Sequence, residues 1–285
     1  MQLICSDRTL DLSTPAIMGV LNVTPDSFSD GGRYTTVPMA VERARMMVEE
    51  GARIIDVGGE STRPGAAAVT PAEEIERVTP VIEALRSRLD VLVSVDTRQT
   101  DVAKAALEAG AHMINDVSAL SAPDMIELVS RSAAGVCLMH KQGEPRTMQV
   151  QPKYGDVVRE VKQYLAARIQ ACEAVGIARS RIVIDPGIGF GKTLQHNLAL
   201  IARLTELQEL GVAVLIGVSR KSMFKTLLGR ELEDRLPGTV ATTCAAVLAG
   251  AAIVRTHDVA AAIDASKVAI ALREAGYKAA TARSA

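Results

Sequence analysis

One unit recurs along the chain and leaves little choice of architecture. A helical stretch runs into a glycine, a short β-branched run follows, and the run stops at polar residues. The unit is seen in "EEGARIIDVGG" (49–59), "EAGAHMINDV" (108–117), "AAGVCLMH" (133–140), "ELGVAVLIGVS" (209–219) and "LAGAAIVRTHD" (248–258). "RIVIDPG" (181–187) follows a helix ending near Gly176, "VLVSVDT" (91–97) follows another helix, and "AIMGVLN" (16–22) opens the series. These are eight apolar strands, each followed by helical pattern. Strands without polar alternation are buried on both faces, as parallel strands are, and the glycines suit left-handed helix C-caps. "TPAEE" (70–74) places Thr70 at an N-cap, Pro71 at the first helical position and Glu73 where a capping box needs it. Val41, Ala44, Met47 and Val48 share one helix face. Eight βα units predict an α/β fold, a single (β/α)8 TIM barrel of about 250 residues. Residues 2–11 read as a short N-terminal hairpin, turning at Ser6-Asp7, that plugs the barrel's N-terminal end. The barrel domain is expected over 1–277, with 278–285 a frayed tail. An open doubly wound sheet is the runner-up.

Composition narrows the class. Apolar residues make up 48% of the 285 and aromatics 2%, with no Trp, so the core is Ala, Val, Ile, Leu and Met. A formal net charge of −1 argues against a general nucleic-acid binder. Cys5, Cys137, Cys172 and Cys244 lie far apart, with no CxxC and no zinc-type Cys/His spacing, and read as buried thiols in a reducing compartment. No secretory leader is read at the N-terminus, and no apolar stretch reaches the roughly 18 residues of a membrane span. The expectation is a soluble cytoplasmic protein.

Active sites of such barrels lie at the C-terminal ends of the strands. Those ends carry Asn22, Asp56, Asp96, Asn115 with Asp116, His140, Asp185, Ser219 with Lys221, and Arg255 with His257. One Asp after a strand is ordinarily a turn or cap, but eight polar ends on one rim form a site. "DPGIGFGKT" (185–193) resembles a nucleotide loop, yet Pro186 stands where the Walker pattern needs Gly, and a sixth strand precedes it. Its glycines are expected to let backbone pack closely around a flat ligand beside Asp185, with Phe190 as an aromatic wall. The stretches 22–34 and 58–66, rich in Gly, Ser, Asp and Pro, are expected lids. Arg63, Arg220, Lys221, Arg255 and His257 give the rim anion chemistry, where this fold often binds phosphate. His112 and His196 read as structural. There is no HxH, HExxH or carboxylate cage, so a metal would be Mg2+ held mainly through a substrate diphosphate, with one protein oxygen and several waters.

"NVTPDSFSDGG", "GGESTRPGA", "NDVSAL", "MHKQGEPRTMQ", "DPGIGFGK", "GVSRKS" and "RTHDV", in this order across nearly the whole chain, resemble dihydropteroate synthase. Lys141 departs from that family's usual Met, and Ile188 stands where Phe is common. The resemblance implies displacement of the diphosphate of 6-hydroxymethyl-7,8-dihydropterin by the amine of para-aminobenzoate, giving 7,8-dihydropteroate and pyrophosphate in folate synthesis. It implies a pterin pocket of Asp96, Asn115, Asp185 and Lys221, with Asn22 as the Mg2+ ligand. Arg63, Arg255 and His257 would hold the diphosphate, and Thr62, Pro64, Phe28, Phe190 and Ser222 would form the aminobenzoate side. Two small-molecule substrates and a homodimer are expected. A corrinoid-linked methyltetrahydrofolate methyltransferase, a non-catalytic pterin-binding paralogue and a Schiff-base aldolase using Lys221 are the other readings.

Overall fold

The computed structural model describes residues 1–24, 37–60, 69–143, 148 and 151–277. The chain opens with an antiparallel hairpin, β1 (Gln2–Cys5) and β2 (Arg8–Asp11), turning at Ser6 and Asp7. Then come the expected strands: β3 (Ala16–Asn22), β4 (Ile54–Gly58), β5 (Leu92–Asp96), β6 (Met113–Asp116), β7 (Gly135–Met139), β8 (Ile182–Asp185), β9 (Ala213–Gly217) and β10 (Ile253–Thr256). All eight are parallel to their neighbours and close into one barrel in sequence order. The seam joins the two ends of the chain, with Ile253 to Thr256 of β10 registered on Ala16 to Gly19 of β3.

The helices are α1 (Val37–Glu49), α2 (Pro71–Arg88), α3 (Thr100–Glu108), α4 (Met125–Arg131), α5 (Val157–Ala174), α6 (Leu194–Ala202), α7 (Thr205–Gln208), α8 (Met223–Leu228), α9 (Leu236–Leu248) and α10 (Val259–Glu274). Their apolar faces cover the outward strand residues, so Ile55, Val57, Val93, Val95, Ile114, Ile184 and Ile216 pack in one core with Ala44, Val78, Ala103 and Leu165. The capping box of α2 forms as expected: Thr70 Oγ1 accepts from the Glu73 N–H, and Glu73 returns the bond to the Thr70 backbone. Gly135 is an exception to the C-cap reading. It starts β7, and it is glycine because a Cβ there would collide with Cys5 Sγ.

The alternation of strand side chains decides where the site lies. Residues two apart point to the same face. Inside the barrel, Met18, Ile54, Leu92, Met113, Cys137, Val183, Leu215 and Ile253 form an apolar floor, packed against Leu3, Cys5, Leu10 and Leu12 of the hairpin. The hairpin therefore plugs the N-terminal end. One step up five of these strands, on the same inward face, stand Asp56, Ser94, Asn115, Asp185 and Arg255.

Candidate active site

Asp56, Asn115 and Arg255, with Asp96 one step further up β5, form a charge network at the C-terminal end of the barrel. Arg255 donates from Nε to Asp56 Oδ2 at 2.6 Å and from Nη2 to Asp96 Oδ2 at 2.7 Å. Asn115 Nδ2 donates to the same Asp56 oxygen at 3.0 Å. Asp56 is fully buried, and Asn115 is 5% exposed. Burial pushes the Asp96 carboxyl up against the pull of Arg255. Arg255, read from the sequence as a diphosphate ligand, thus also neutralises two carboxylates across the barrel.

Asp185, buried at the end of β8, accepts the Gly187 N–H at 2.7 Å. Burial raises its pKa, opposed by that bond and by Lys221 and Arg255. Burial, followed by the charge of Arg255, lowers the Lys221 ammonium to about 8, while Asp185 and Asp96 hold it up. Its Nζ lies 4.3 Å from the centre of the Phe190 ring, close enough for cation–π attraction. The rim therefore offers carboxylate and amide acceptors beside a cationic wall.

At the seam, Ser219 Oγ accepts the backbone N–H of His257 at 3.2 Å and lies 3.0 Å from its Nδ1. Ser222 is exposed immediately before α8. Arg220 instead forms a forked ion pair with Asp258. Asn22 ends β3, and a Cβ on Gly58 would lie 3.6 Å from Asn22 Oδ1 and 4.0 Å from Asp96 Oδ2. Asp96 Oδ2 is taken by Arg255, which leaves the Asn22 amide oxygen as the hard donor there of the kind Mg2+ prefers. Among the described residues, no three His, Cys, Asp or Glu side chains group as a metal cage. Phe28, Thr62, Arg63 and Pro64 lie outside the described residues.

The glycine-rich stretch behaves differently from expectation. Gly187, Gly189 and Gly191 all have positive φ. The close approach at two of them is to protein backbone: a Cβ on Gly187 would overlap the His140 carbonyl, and one on Gly191 that of Gln142. Lys192, the apparent phosphate lysine, turns inward. It is 3% exposed and donates to the carbonyls of Phe190 at 3.0 Å and His140 at 3.3 Å. Burial lowers it to about 7. Sequence reasoning missed this residue and placed no role on Asp56. His112 is structural as expected, its Nδ1 accepting from Val93 N, and His196 closes the capping box of α6.

This constellation of buried acceptors facing cations in a closed barrel matches a known class. The sequence profile of the family described as "Pterin binding enzyme" aligns with residues 18–257. Within that class, the chain belongs to the dihydropteroate synthase family. It is 48% identical over 268 residues to the dihydropteroate synthase of Escherichia coli strain K12, covering 94% of this chain and 95% of that one. The crystal structure of the Yersinia pestis dihydropteroate synthase with a sulfonamide drug complex superposes with a TM-score of 0.92 at 46% identity, covering 96% of this chain and 100% of the other. The Xanthomonas albilineans dihydropteroate synthase in complex with 7,8-dihydropteroate gives a TM-score of 0.88 at 46% identity, covering 96% and 99%.

Proposed function

We propose that the chain condenses 6-hydroxymethyl-7,8-dihydropterin diphosphate with para-aminobenzoate, yielding 7,8-dihydropteroate and pyrophosphate. The observation that carries this reading is the placing of Asp185, Asn115 and Asp96 opposite Lys221 and Arg255 on one rim. A pterin presents adjacent N–H donors along its pyrimidine edge, which carboxylate and amide oxygens accept. Asp185 takes that edge, and Asn115 and Asp96 complete it. Arg255, His257 and Arg63 hold the diphosphate, for which forked guanidinium donors are suited.

The carbon under attack bears a good leaving group and is joined to an electron-rich ring. The diphosphate leaves first, and the positive charge spreads into the pterin. The carboxylates of Asp96 and Asp185 favour that cation, while the basic residues stabilise the departing anion. The arylamine is already a nucleophile, so no strong base is needed. Asn22, beside Asp96, would hold Mg2+, whose chemistry when bound is to neutralise charge on the diphosphate. Phe28, Thr62, Pro64, Phe190 and Ser222 form the aminobenzoate side.

We assign the chain to the cytoplasm, which its free cysteines support; among the described residues no helix is long and apolar enough to cross a membrane. We also propose a homodimer, which sedimentation would test. The reaction is tested by dihydropteroate formation and pyrophosphate release with both substrates and with each omitted. Dihydropteroate is expected to form only when both substrates are present, together with pyrophosphate. No dihydropteroate with both present overturns the reading.

A further inference from the structure

Asp56 is a costly residue that the reaction above does not use. It lies in the middle of β4, two residues before the strand ends, with no exposed surface. One oxygen, Oδ2, takes both Asn115 Nδ2 and Arg255 Nε. The other, Oδ1, is buried without a hydrogen-bond partner among the described residues. A buried carboxylate with an unpaired oxygen is unfavourable for folding. Its presence in the layer above an otherwise apolar floor calls for a reason in the site.

The reason lies in what a carboxylate can do to an amide. An asparagine side chain has one accepting and one donating end, and its neighbours decide which way each points. The Asp56 oxygen that already takes the Arg255 Nε–H is an acceptor. It therefore compels Asn115 to give its amine inward, which turns the Asn115 carbonyl oxygen away from Asp56. The same oxygen anchors the Arg255 guanidinium at Nε, so the amide and the guanidinium are held about one fixed point.

We infer that Asp56 is a positioning residue that sets the polarity of Asn115, making it an acceptor toward the ligand, and that fixes Arg255 beside it. The assignment of the ligand as a pterin rests on the function proposed above; the orientation of Asn115 does not. Replacement by Asn at position 56 keeps the size but removes the compulsion, because an amide neighbour can donate as well as accept. Asn115 is then able to present its amine to the ligand's own donors, a mispairing.

The test is a double-mutant cycle read by calorimetry with 6-hydroxymethylpterin, which lacks the diphosphate and so does not report on Arg255 as a diphosphate ligand. Asp56→Asn should weaken binding about tenfold in the otherwise native enzyme. In an Asn115→Ala background the same change should weaken it less than about twofold, because the amide it acts through is gone. Equal losses in both backgrounds, or no loss in the native one, overturn the inference. A second measurement needs no variant at position 56. With selective 15N-asparagine labelling, the side-chain amide protons of Asn115 should be protected from exchange in the free enzyme and stay protected when the pterin binds. Unprotected protons in the free enzyme, or protection lost on binding, overturn the inference. Failure of the native enzyme to bind the pterin would count against the proposed function, and the free-enzyme exchange measurement would still decide the role of Asp56.

Discussion

Nζ of Lys192 lies 3.0 Å from Nδ1 of His140, and both side chains are buried. Burial, with Lys192 next to it, lowers His140 to about 3, so near neutral pH the imidazole is an uncharged acceptor for the lysine. The pair stitches the glycine-rich turn after β8 to the end of β7.

Lys192→Met should therefore loosen that stitch. The carbonyls of His140 and Phe190 lose their donor, at a cost of about 1–3 kcal/mol. The pH dependence has a definite sign. Folding lowers this lysine from 10.5 to about 7, so between those values the unfolded chain holds more protons than the folded one. Stability from this group rises with pH across that window. Urea unfolding at about pH 7 and about pH 9 should show a rise in the native protein that is smaller in the variant. An identical rise in both would rule out Lys192 as its source.

Gly187→Ala should be far worse than a substitution at an open glycine. Gly187 has φ +68° and a Cβ there would run into the His140 carbonyl, so strain and clash together cost roughly 2–5 kcal/mol. Gly176, with φ +88° and open space around it, should cost only about 1–2 kcal/mol. Thermal unfolding of the two variants side by side checks the difference, and equal shifts would refute the close approach.

Asp185→Asn exchanges one acceptor oxygen for a donor that faces the pterin's donors. One mispaired buried group costs about 1–3 kcal/mol, or roughly 5- to 150-fold in pterin affinity. Calorimetry decides it: unchanged affinity would reduce Asp185 to a turn residue that holds Gly187.

Arg255→Ala should damage both stability and turnover. It leaves Asp56 and Asp96 without their shared cation, and breaking a buried pair from one side typically costs about 3–5 kcal/mol. Arg255→Lys keeps the charge but not the fork, so it should recover much of the stability while turnover stays low. Denaturant titration and steady-state kinetics on both variants separate the two effects. If Lys restores turnover fully, the forked geometry is irrelevant.

Much of the architecture was legible because glycine caps and β-branched runs are local signals. "AIMGVLN" needed no tertiary information to be read as a strand, and it is β3 with the same boundaries. The polar strand ends were legible for the same reason. The role of Asp56 was not. Its inward direction follows from its register with Ser94 on β5, and its work depends on Asn115 and Arg255, which are close only once the barrel exists. Lys192 was misleading in sequence because its burial depends on backbone at residues 140–142, far away along the chain. The left-handed Asp124 ahead of α4, which caps with no side-chain bond, had no local signature.

The seam between β3 and β10 has a consequence in time. A ribosome makes the chain from its N-terminus, so the first barrel strand emerges long before the strand that must lie beside it. Until residues 253–256 are released, Ala16 to Gly19 expose an unpaired edge, and the floor above the hairpin lacks Ile253. An edge of this kind invites pairing with another nascent chain. The pocket, which needs Arg255 of that last strand, is among the final things to be assembled. A chain stopped anywhere before β10 would carry nearly all of the acceptor residues and still have no site.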